Sequence, residues 1–86
     1  MKVVEKKIEM IAQFKGDGTI IPIRFRIKEE DSYNVIKIKN IIKVDEQKIA
    51  GEKLRAYTCT AVINNLEKIF ELRFNINKCE WYLYKI

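Results

Sequence analysis

Few side chains in this 86-residue chain could carry chemistry, and their types narrow the field quickly. There is no histidine, which removes the commonest general base near neutral pH and the commonest metal ligand. The two cysteines, Cys59 and Cys79, lack the close spacing of a metal site and are too few for a disulfide scaffold. A cysteine nucleophile needs an adjacent base or cation to form its thiolate. Alternation instead places both thiols on the apolar side of their strands, near Phe70 and Phe74, as buried structural groups. A bond between them is disfavoured, because another strand is expected to lie between theirs. Glu29, Glu30 and Asp31 form an acidic run that reads as a polar turn, since a hard-cation site needs several converging oxygens. Gly16-Asp17-Gly18 is a lone turn and lacks the pattern of a phosphate-binding loop. No carboxylate pair is placed to share acid–base work. The sequence therefore reads as a non-enzyme with no cofactor and no metal.

What remains is a basic constellation. Ile21, Ile23, Phe25 and Ile27 fall on one face of a period-two strand, with Pro22, Arg24, Arg26 and Lys28 on the other. Closing the next turn symmetrically sets Arg24 opposite Lys37, Arg26 opposite Val35 and Pro22 opposite Lys39. Arg24, Arg26, Lys28, Lys37 and Lys39, flanked by Tyr33, then form a candidate nucleic-acid face, a basic track beside an aromatic ring. Glu9 is expected across from Arg26, diluting the charge. A second candidate surface is apolar: Ile11, Ile20, Ile69, Tyr82, Tyr84 and Ile86 alternate out of phase with the core. Of these, Ile11, Ile69, Tyr82 and Tyr84 are the leading candidates for a protein interface or homo-oligomer contact.

The elements that must position these residues are strands. Apolar residues make up 48% of the chain and charged ones 34%, an ordinary globular balance. Ile, Val, Phe, Tyr and Thr dominate, which favours β structure. The length fits one domain over residues 1–86, with one modest core. No apolar run approaches a membrane span and Met1–Glu5 has no signal-peptide pattern, so the expectation is a cytoplasmic protein with no membrane partner. The net charge is +5, and residues 1–44 hold ten Lys/Arg against six Asp/Glu, a weak bias toward an anionic partner in the first half.

In chain order, strands are expected over about 5–14 and 19–28, joined at Asp17-Gly18. This hairpin sets Phe14 opposite Ile21, Ala12 opposite Ile23, Met10 opposite Phe25 and Ile8 opposite Ile27. Pro22 cannot donate to a ladder, so it requires an edge, a bulge or solvent. A third strand runs from Tyr33 to about Val44. Asp45 as an N-cap and Gly51 as a C′ residue predict a short helical turn near 45–51. Strands over 54–63 and 66–74 turn at Asn64-Asn65, setting Cys59 against Phe70 and Tyr57 against Leu72. A last strand follows Asn75–Lys78, setting Phe74 against Cys79 and Leu72 against Trp81. The fold class is all-β: a six-stranded antiparallel meander curled into a small SH3-like barrel or two-layer sandwich.

Gly18-x-x-x-Pro22-x-Arg24-Phe25-Arg26, Arg55-x-Tyr57-Thr58-Cys59, Leu72-x-Phe74 and Trp81-Tyr82 together resemble a family of small uncharacterised bacterial proteins. That family shares a Pro-x-Arg-Phe-Arg strand and a terminal aromatic strand. The resemblance spans most of the chain and implies a compact all-β fold; it brings no activity, cofactor or site residue. The functional expectation is a binding module, with nucleic acid or protein as partner.

Overall fold

The computed structural model describes residues 1–86 throughout. Seven strands follow one another: β1 (Val3–Phe14), β2 (Ile20–Lys28), β3 (Tyr33–Lys37), β4 (Asn40–Ile49), β5 (Glu52–Ile63), β6 (Leu66–Asn75) and β7 (Glu80–Lys85). They form a single antiparallel sheet in the order β3-β2-β1-β7-β6-β5-β4. The first and last strands meet in its middle, and Lys2 and Ile86 exchange two backbone hydrogen bonds of 2.7 and 2.9 Å. The sheet curls into a half-barrel. Its two edge strands, β3 and β4, are consecutive in the chain, so the expected third strand is one segment bent at a corner. There the Ile38 N–H donates to the Ile23 carbonyl at 3.0 Å, and the next N–H, of Lys39, donates to Thr60 at 2.8 Å. Successive amides thus point to opposite layers, which is how a strand changes sheets.

The inner face carries the core. Ile8, Phe25, Ile27, Ile36, Tyr57, Cys59, Ala61, Phe70, Leu72, Phe74, Trp81 and Leu83 form one buried cluster. Phe25 meets Phe70 edge-on, ring centroids 5.7 Å apart, which joins the β1–β3 layer to the β5–β7 layer. Trp81 lies between Phe74 (4.7 Å) and Tyr57 (5.3 Å), and the Tyr57 hydroxyl donates to the Ile20 carbonyl at 3.0 Å. That bond supplies the partner a buried phenol needs.

Four sequence expectations change. Residues 45–49 are strand, not helix: β4 pairs with β5 from Asn40 to Ile49, and Ala50 and Gly51 (φ 51° and 83°) make a two-residue hairpin turn. The segment shows no apolar alternation because its half-covered positions, Asp45 and Gln47, are polar. Second, Ile23 is exposed, not inward. Arg24 lies opposite Ile11 but Pro22 opposite Ala12, so Ile23 is the extra residue of a bulge. The bulge turns Pro22 into the core and frees its missing N–H from the ladder. Phe14 consequently faces Ile20 and is exposed.

Third, Cys79 is not buried. β6 continues to Asn75, whose side-chain carbonyl accepts from the Lys78 N–H (3.1 Å) while its amide donates to Glu52 (2.9 Å). The turn therefore extends to Cys79, which sits exposed with φ 53°. The β6–β7 pairing accordingly slides by two residues, to Phe74 with Trp81 and Leu72 with Leu83. A two-residue slide keeps each side chain on its face. Fourth, the bend at Ile38–Lys39 takes Lys39 away from Pro22. The β5–β6 pairing is as expected, Cys59 with Phe70 and Tyr57 with Leu72, around Asn64 and Asn65 at φ 52° and 64°.

Candidate functional site

The outer face of β2 and β3 is set by the ladder inward of it. Phe25 and Ile27 are drawn into the core, so period two turns Arg24, Arg26 and Lys28 to solvent. Across the ladder Arg24 faces Lys37, Arg26 faces Val35 and Lys28 faces Tyr33. On the β1 side, Ile11 lies beside Arg24 and Glu9 beside Arg26. The result is a shallow groove of about 390 Å³ lined by Glu9, Met10, Ile11, Arg24, Phe25, Arg26 and Val35.

Its charges are unequal in kind. Arg26 Nε donates to Glu9 Oε1 at 2.6 Å, and that hydrogen bond holds the Glu9 carboxyl below its ordinary range. The Arg26 guanidinium also lies 4.0 Å from the centre of the Tyr33 ring, covering one aromatic face. Arg26 is therefore a neutralised, stacked residue. Lys39 lies off the face altogether, with its ammonium 3.3 Å from Glu67. Arg24, Lys28 and Lys37 have no acidic partner. Seven ion pairs take up seven of the seventeen cations and seven of the twelve acids. Three of the five acids left over, Glu29, Glu30 and Asp31, stand together in the β2–β3 turn.

The residues of the expected apolar interface are spread over three neighbouring strands, β1, β7 and β6. Ile11 belongs to the basic groove. Ile69 lies opposite Thr60. Tyr82 lies opposite Arg73 and donates its hydroxyl to Glu80 at 3.1 Å, and the Tyr84 ring is 3.4 Å from the Arg73 guanidinium. Arg73 also donates to Glu71 at 3.0 Å with both side chains largely covered, so this cluster is internally satisfied. Val35 is the groove residue that sequence reading passed over. Its signal was an apolar side chain on the same period-two face as Tyr33 and Lys37, where a polar one would be expected.

The two thiols sit in opposite surroundings. Burial pushes the Cys59 thiol up to about 12, so it stays protonated in the core. Cys79 is exposed, its sulfur 3.9 Å from the Ile76 carbonyl. No three Cys, Asp or Glu donors converge anywhere on the chain. No family model, curated protein or solved structure matches this chain. The site must be read from its own chemistry.

Proposed function

We propose that this chain is a small, non-catalytic, cytoplasmic binding module that holds a nucleic-acid strand against the outer face of β2 and β3. The observation that carries the reading is the Arg24–Lys37 pair. Two like charges sit directly opposite each other across a ladder, an arrangement that destabilises a sheet. Seven of the seventeen cations have an acid beside them, and neither member of this pair is among the seven. A bound phosphate relieves that repulsion. Lys28 extends the positive track toward Tyr33, and Ile11 and Val35 supply an apolar floor on which a base can rest.

Three free cations define the expected strength. Each phosphate contact on a single strand contributes about 0.7 to the slope of log affinity against log salt, so three contacts predict a slope of about −2. Binding of a fluorescent mixed-sequence oligonucleotide, followed by anisotropy across a salt series, measures it. Arg24→Glu with Lys37→Glu is expected to abolish binding, while Lys53→Glu with Lys68→Glu, outside the groove, leaves it unchanged. Absence of binding at low salt, or equal loss in both double variants, refutes the reading.

A further inference from the structure

We infer that two copies of this chain pair through the open edge of β3, antiparallel about Val35, so that their basic faces join into one. β3 ends the sheet. No backbone hydrogen bond reaches Tyr33–Lys37 from any strand except β2. β5 packs near the strand from the other layer without bonding to it, so the outward amides and carbonyls of β3 are unused ladder positions. The strand is regular along its whole pairing with β2, whereas the other edge, β4, is interrupted by a bulge at Ile42.

The occupant and register follow from symmetry and charge. Two copies related by a two-fold axis across an antiparallel ladder must place some residue opposite itself, because neighbours i and i+1 point to opposite faces. Centring on Lys37 sets like charges together. Centring on Val35 is the one choice that uses all five β3 residues of both copies. It sets Val35, 62% exposed, against its own copy, Tyr33 against Lys37 of the second copy, and Asn34 against Ile36. The same register brings the acidic turn Glu29–Asp31 of one copy toward the Lys37 end of β3 in the other. Those three unpaired acids lie at one end of β3 and the unpaired Lys37 at its other end, a charge layout that is complementary to itself only when the second strand runs antiparallel.

The inference stands independently of nucleic-acid binding, and its test contains no nucleic acid. Sedimentation of the native chain from micromolar to several hundred micromolar is expected to shift from monomer toward dimer. Val35→Lys, which faces a lysine with a lysine, is expected to remain monomeric over that range with an unchanged far-ultraviolet circular dichroism spectrum. Opposed antiparallel residues have Cα atoms about 4.5–5.5 Å apart, within the span a disulfide requires. In a Cys79→Ser background, Val35→Cys is therefore expected to form a covalent dimer in a redox buffer, and the comparably exposed Val62→Cys is not. A native chain that stays monomeric throughout, a Val35→Lys variant that still dimerises, or equal cross-linking at Val62 overturns the inference.

Discussion

The β5–β6 and β1–β2 hairpins are built from similar material and end in different trades. Both alternate apolar and polar residues around a short turn. In β5–β6 the pairing runs unbroken from Ile63–Leu66 to Leu54–Asn75, and Cys59, Ala61, Phe70 and Leu72 are fully sealed. In β1–β2 the ladder is broken at Ile23, Phe14 and Ile23 are exposed, and cations gather on the open side. A continuous register produces a face that packs. A bulged one re-aims side chains and leaves a face that can bind. The largest way to break the contrast is at the contact between the halves. Phe70→Ala removes the ring that meets Phe25 and is expected to cost about 3–5 kcal/mol by denaturant unfolding. Phe14→Ala, in the bulged hairpin, is expected to leave the midpoint unchanged. Similar losses at the two positions would erase the division.

The thiols sharpen the same division by pH. Cys59, on β5, has its ionisation raised by burial to about 12 from 9.0, and burial raises Tyr57 beside it as well. A group whose folded-state value is raised stabilises the fold in its protonated form. That stabilisation is complete below about pH 9 and is lost as pH climbs toward 12. Stability measured by denaturant should therefore fall across that window, and less steeply in Cys59→Ala. A thiol reagent at neutral pH is expected to label Cys79 at once and Cys59 only on unfolding. Rapid labelling of both would show that the β5–β6 layer opens readily.

How much was legible in the sequence follows the same line. Where a two-residue turn fixes the register and both strands line the core, as around Asn64-Asn65, every pair could be read in advance. The outward direction of Arg24, Arg26, Lys28 and Lys37 was legible too, because Phe25, Ile27 and Ile36 anchor the opposite face. The failures share a cause: a local backbone event that alternation does not encode. Pro22 announced a bulge, yet which residue it would expel depended on the core accepting the proline ring. Asn75 lengthened a turn through two side-chain bonds and moved Cys79 into solvent. Only the second half of β4, residues 45–49, reads as a helical turn, because its half-covered positions, Asp45 and Gln47, are polar and leave no apolar period; Ala50-Gly51 was the available signal. The pairing of Arg26 with Glu9 was foreseen, but its stacking on Tyr33 was not, since it depends on side-chain geometry across a ladder.

The smallest change in stability comes with the most telling change in the binding face. Glu9 lies exposed in the groove and holds Arg26 by a hydrogen bond and its charge. An exposed pair of this kind adds little to folding, so Glu9→Gln is expected to leave the unfolding midpoint where it is. The same substitution removes the negative charge that lies in the groove and releases the Arg26 guanidinium for a phosphate. Binding should tighten, and the salt slope should steepen by about 0.7 as one more phosphate contact forms. A neutral glutamine that weakened binding would mean that Glu9 acts by orienting Arg26 over Tyr33, and that the stacked pair, not the free cations, is the recognition element. The anisotropy salt series decides between the two, because only added charge steepens the slope.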